Sequence, residues 1–145
     1  MNIRPAQIDD IDVLERMGKD FAHAAGQAEV NSEVLRQTLV NLIENGIAIV
    51  AENGVIKGAI GGLVYPSWFS GEIIAQELWW WCDPEIRGTS AALKLLISLE
   101  SEAKNRGATK LLMLCLDGLE GERIANIYTR LGYHAEERTF SKDLN

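Results

Sequence analysis

The feature that most constrains this chain is an abrupt change of character between residues 73 and 96. Ile73 to Cys82 is an apolar, aromatic run that holds Trp79-Trp80-Trp81 and suits a buried strand. Asp83-Pro84 stops that strand, because proline has no N–H to give to a ladder. Arg87-Gly88-Thr89-Ser90 then opens a helix whose apolar residues recur at 92, 96, 99 and 103. The first amides of a helix have no internal partners, and its dipole adds about half a positive charge there. Small residues at 88 to 92 let an anion approach the main chain, so the element reads as a pyrophosphate cradle. The same residues also suit an ordinary connection, with Thr89 or Ser90 as N-cap and Arg87 as a solvated turn residue. Other phosphate loops fit worse. There is no Gly-Lys-Ser/Thr end, and the dinucleotide fingerprint needs three glycines where only Gly88 stands.

At 145 residues the chain suits a single domain spanning 1–145, with 47% apolar and 24% charged residues, as in a soluble globular protein. A net charge of −7 works against nucleic acid and anionic membrane as partners, and tolerates a cationic acceptor. No apolar run approaches a membrane span, and the N-terminus shows no signal-peptide core. Cys82 and Cys115 both fall in apolar runs without spaced partners, which points to a reducing cytoplasm and away from a metal site.

In chain order, Ile3 to Ala6 reads as a first strand. Asp9 or Asp10 caps a helix with apolar residues at 11, 14, 17 and 21, and its tail carries His23, read as a solvated helix-end histidine. Asn31-Ser32 caps a second helix that ends at Asn45-Gly46. Ile47 to Ala51 and Val55 to Tyr65 form a hairpin around Glu52-Asn53-Gly54, and Gly58, Gly61 and Gly62 mark bulges or close approach. Trp68 and Phe69 lie in the next turn. They are expected to fold back onto the core, the alternatives being an acceptor mouth or a partner surface. After the tryptophan strand and its helix, Ser90 to Arg106, Lys110 to Leu116 reads as a parallel strand covered on both faces. A helix over Leu119 to Leu131 and a strand over Tyr133 to Leu144 complete the chain. The fold class is α/β, a mixed sheet with helices on both faces in the order β-α-α-β-β-β-α-β-α-β.

With these residues in view, the chain resembles the GCN5-related N-acetyltransferase superfamily over nearly its whole length. The family's acetyl-coenzyme A motif, Arg/Gln-x-x-Gly-x-Gly/Ala, falls on Arg87-Gly88-Thr89-Ser90-Ala91-Ala92, with Ser90 in place of the central glycine. The family's Tyr-x-x-x-Gly-Phe falls on Tyr128-Thr129-Arg130-Leu131-Gly132-Tyr133. Gly121 stands where the family often has asparagine. The run Gln76-Glu77-Leu78-Trp79-Trp80-Trp81 looks like that of a compact, phage-type subgroup.

The resemblance implies transfer of an acetyl group from acetyl-coenzyme A to an amine by direct attack. The amides of residues 88 to 92, with Arg87 nearby, would hold the pyrophosphate. The pantetheine arm would lie between the strands ending at Cys82 and Leu116, bonded to main chain near Trp80, Trp81 and Cys82. An N–H freed by a β-bulge around Trp79 to Trp81 would meet the oxyanion, and Tyr128 would give the leaving thiolate its proton. Glu77 is the candidate base, a carboxylate in an apolar strand, its alternative being a sheet-edge glutamate satisfied by solvent. By alternation Glu77 shares a face with Trp79 and Trp81 unless a bulge intervenes. Three tryptophans are more often core than ligand-binding, although such a strip can wall a cationic acceptor. A small-molecule or peptide amine is the expected acceptor, and a homodimer is compatible with the sequence. The rival is a protein of the same fold that binds an acyl-coenzyme A, another anion or a second copy without turnover.

Overall fold

The computed structural model describes residues 1–27, 29–116 and 120–145. They fall into two compact units, Met1–Leu114 and Cys115–Asn145. The first unit contains β1 (Asn2–Pro5), α1 (Ile11–Ala24), α2 (Ser32–Glu44), β2 (Ile47–Glu52), β3 (Ile56–Pro66), β4 (Ile73–Cys82), α3 (Ser90–Asn105) and β5 (Lys110–Leu112). Its sheet has the order β1-β2-β3-β4-β5, antiparallel up to β4, with β5 parallel to β4. A strand–helix–strand crossover is what allows that parallel neighbour.

β2 shows why the sheet must be covered twice. Ile47, Ile49 and Ala51 pack with Leu95 and Leu99 of α3, while Ala48 and Val50 pack with Leu14 and Met17 of α1 and Leu39 and Leu42 of α2. A strand apolar at every position has two faces to bury.

Most local expectations hold. Asn31 caps α2 by accepting from Val34 N–H at 3.1 Å, and Gly54 turns the β2–β3 hairpin at φ 73°. Others need correction. Asp10 precedes α1, but its carboxylate does not cap the helix: it accepts both Arg4 Nη groups, at 2.9 and 3.1 Å, and Gln7 N–H at 2.8 Å. Trp68 and Phe69 do not fold back. They are 93% and 77% exposed and meet edge-to-face 5.2 Å apart at the tip of the β3–β4 turn. β5 is assigned only over Lys110–Leu112, not to Leu116, and Leu114 and Leu116 are exposed rather than covered.

In the second unit the regular element among the described residues is α4 (Gly121–Arg130). Gly132 follows it at φ 93°, the left-handed stop expected of a glycine after a helix. The expected start of that helix, Leu119, lies outside the described residues. No strand is assigned over 133–145 among the described residues of this unit.

Candidate active site

β4 is paired differently on its two sides. Toward β3 the ladder runs from Pro66↔Ile73 to Gly58↔Cys82. Toward β5 only Ile74↔Lys110, Ala75↔Leu111 and Gln76↔Leu112 are paired. The next pair of that register, Glu77 with Met113, is not formed, and just beyond it Leu114 N–H donates to the Glu77 side chain, at Oε1, over 3.1 Å. The two strands therefore part above Gln76, and the Glu77 carboxylate sits at the fork.

On the other edge the register slips between Gly61 and Gly62, so that Gly61 faces Trp79 while Gly62 faces Glu77. Leu78 is the extra residue, one position before the expected window of Trp79 to Trp81. The bulge changes which side chains share a face. Leu78, Trp79 and Trp81 all meet the α1/α2 core, whereas Ala75, Trp80 and Cys82 meet the α3 core. Two residues after Ala75 and before the bulge, Glu77 lies on the α3 face by register, not with Trp79 and Trp81 as plain alternation predicts. The glycines opposite leave room for this. A Cβ on Gly62 would stand 2.9 Å from the Gln76 carbonyl oxygen, and one on Gly61 3.1 Å from the Trp79 indole.

Beyond Cys82 the chain makes one tight turn, Pro84–Ile86, and Gly88 at φ 76° redirects it into α3. Thr89 is the N-cap, its Oγ1 accepting from Ala91 N–H at 3.3 Å and donating to the Ile86 carbonyl at 2.6 Å. Thr89 N–H also donates to the Ile86 carbonyl, at 3.2 Å. Two of the five amides from 88 to 92 thus have partners within the turn. Ser90 and Ala92 lie in the first helical turn, where no carbonyl four residues back is available to them. Gly88, Ser90, Ala91 and Ala92 are all small, so their own side chains leave the main chain of this turn open to approach.

Arg87 is exposed, yet its head group is held. Its Nε donates to the Cys82 carbonyl at 2.8 Å, and its guanidinium carbon lies 4.5 Å from the centroid of the Trp81 ring. Trp81 in turn donates its indole N–H to Asp83 Oδ1 at 3.1 Å, and Asp83 takes a two-pronged contact from Arg16 of α1, at 2.7 and 3.0 Å. Burial works to raise the pKa of Asp83, but the hydrogen bonds from Arg16 and Trp81 outweigh it and hold the carboxyl below its ordinary value. Sequence reading missed Arg16 and Asp83 as a pair. They stand 67 positions apart, and nothing local to either announces the other.

Cys82 is buried on the α3 face. Desolvation pushes its thiol up to about 11, against a smaller opposing pull from Arg87 and the Trp80 indole. A thiol of that kind is not a nucleophile at neutral pH. Glu77 is 5% exposed, so the solvent-satisfied alternative does not hold.

In the second unit, Tyr128 is buried, with its ring 5.5 Å from that of Tyr133, and Tyr133 N–H donates to the Tyr128 carbonyl at 3.0 Å. Gly121 opens α4 where a Cβ would come within 3.1 Å of the Leu116 carbonyl oxygen. Cys115 Sγ also donates to the Gly121 carbonyl at 2.9 Å, so this corner has little space for an asparagine side chain.

Comparison with protein families matches residues 14–133 to the acetyltransferase (GNAT) family. Solved structures share the fold. A predicted acetyltransferase with acetyl-CoA from Clostridium acetobutylicum is 20% identical, with a TM-score of 0.78 over 98% of this chain and 95% of that one. A ribosomal-protein-alanine N-acetyltransferase from Brucella melitensis biovar Abortus is 17% identical, with a TM-score of 0.78 over 99% and 100%. Glucosamine-6-phosphate N-acetyltransferase from Arabidopsis thaliana is 18% identical, with a TM-score of 0.72 over 99% and 98%. No curated protein sequence matches. No helix among the described residues is long and apolar enough to cross a membrane.

Proposed function

The chain belongs to the acetyltransferase (GNAT) family, and on that premise we propose that it transfers the acetyl group of acetyl-coenzyme A to an amine by direct attack. The observation that carries this reading is the fork above Gln76, where Leu114 N–H turns to the Glu77 side chain instead of to the next rung of the ladder. A parallel pair that opens at its carboxyl end, beside a glycine turn into a helix N-terminus, has the form a nucleotide thioester needs.

In this reading the amides of Ser90 and Ala92 hold the pyrophosphate, with Gly88 giving it room and Arg87 close by. Main chain of Trp80, Trp81 and Cys82, unpaired toward β5, aligns the pantetheine arm, and much of the rate comes from that alignment. An extra residue in one strand leaves part of its ladder unpaired, which makes the main chain at Leu78 the candidate donor to the oxyanion. Glu77 takes the proton of the incoming amine, and Tyr128 returns one to the leaving thiolate. Direct attack is favoured over an acetyl-cysteine relay because Cys82 remains a neutral thiol at working pH.

The test is to titrate acetyl-coenzyme A calorimetrically and then screen amines for release of free thiol. Tyr128→Phe and Glu77→Gln should bind acetyl-coenzyme A as the wild type does and lose turnover. A chain that binds but releases no thiol with any amine supports instead the non-catalytic binding protein.

A further inference from the structure

We propose that Arg16, on helix α1, is a positioning residue for the pyrophosphate cradle, acting through Asp83 and Trp81 on Arg87. This inference rests on the acetyl-coenzyme A reading above. Four contacts make one line. Arg16 grips both oxygens of Asp83, Asp83 Oδ1 takes the Trp81 indole N–H, the Trp81 ring lies under the Arg87 guanidinium, and Arg87 Nε is tied to the Cys82 carbonyl.

The geometry fixes Arg87 by its inner edge. Nε is used on the Cys82 carbonyl and the guanidinium carbon rests on the indole, while the Nη groups make no hydrogen bond among the described residues. Arg87 immediately precedes Gly88 and the start of α3. A guanidinium held this way presents its outer donors to an anion without first having to be ordered.

Arg16 also sets the charge of the site. Asp83 is 6% exposed and precedes the turn that leads into the cradle. The charges around it are Arg16 and Lys57, with Glu85 paired to Lys57 at 2.7 Å and Asp20 sharing Arg16 at 3.0 Å, and Arg87 reaches it only through the Trp81 indole. Without Arg16, a buried carboxylate is left uncompensated next to the place where the pyrophosphate must arrive. It repels the anion, and it competes with the anion for Arg87.

The test compares two thioesters by calorimetry. Acetyl-coenzyme A carries the pyrophosphate, and S-acetylpantetheine does not. Arg16→Met should weaken acetyl-coenzyme A binding about tenfold and leave S-acetylpantetheine binding unchanged. Adding Asp83→Asn to Arg16→Met should recover most of the loss, since asparagine keeps an acceptor for Trp81 and removes the stranded charge. If Arg16→Met does not fold, Arg16→Lys keeps the charge without the fork and should show a smaller loss of the same selectivity. Equal losses for both ligands in the folded variant, or a double variant no better than the single, would overturn the proposal. A wild-type chain that binds neither thioester instead overturns the acetyl-coenzyme A reading beneath it.

Discussion

The two halves of β4 are made of similar residues and do different things. The lower half, Ile74 to Gln76, is hydrogen-bonded to β3 on one side and β5 on the other, and forms ordinary sheet. The upper half, Trp79 to Cys82, keeps β3 but not β5, and ends in the turn that starts α3. Apolar composition alone would bury both halves equally. What separates them is one extra residue, Leu78, and one carboxylate, Glu77, which takes the Leu114 N–H at the point where a rung would have continued the sheet. A strand can thus be core for half its length and binding wall for the rest, with a bulge and a polar side chain marking the boundary.

The largest expected effect comes from Glu77, at the boundary itself. Glu77→Gln keeps an oxygen that can accept Leu114 N–H but cannot take a proton, so turnover should fall by about 100-fold or more with acetyl-coenzyme A binding intact. Glu77→Leu removes the acceptor as well and should also lower the melting temperature. If Glu77→Gln turns over as fast as the wild type, Glu77 is only a strand-end bracket. Next comes Ser90→Glu, which places a carboxylate in the proposed cradle. An acid in the first turn favours the helix, so stability should hold or rise while acetyl-coenzyme A binding weakens by about 100-fold, ~2.7 kcal/mol. Thermal melting with calorimetry separates the two.

Gly62→Ala attacks the bulge through the β3 side. A Cβ there stands 2.9 Å from the Gln76 carbonyl oxygen, which is backbone and cannot swing away. A loss of about 1–3 kcal/mol in a denaturant melt is expected. The contact between Asp83 and Arg16 should show in a pH series. Asp83 titrates below its ordinary 3.8 in the folded chain, so it stabilises the fold above that value and loses the effect as pH falls through its depressed pKa. The melting-temperature gap between wild type and Asp83→Asn should be steady at neutral pH and close in acid. The smallest effect belongs to Cys82→Ala. With the thiol pushed up to about 11, turnover should stay within about threefold of wild type, measured by thiol release. A collapse of activity would reinstate a cysteine relay.

Much of this was legible in the residues. Proline after aspartate, glycine before Thr-Ser and a helical repeat through Ala103 announce the strand–turn–helix, because each acts within a few positions. The bulge was harder. Glycines at 61 and 62 signal an irregularity, but which residue of β4 is doubled depends on the register between two strands. The early end of β5 was hidden as well, since an aliphatic run says nothing about where its partner strand turns away. Trp68 and Phe69 misled because large rings are usually buried, and here the turn between β3 and β4 leaves both in solvent. The Arg16–Asp83 contact exists only once α1 lies across the end of β4.

Backbone amide chemical shifts recorded during an acetyl-coenzyme A titration test the division of β4 most directly. Saturable shifts are expected at Trp79 to Cys82 and at Gly88 to Ala92, with Ile74 to Gln76 unmoved. Shifts spread evenly along β4, or none that saturate, would contradict it.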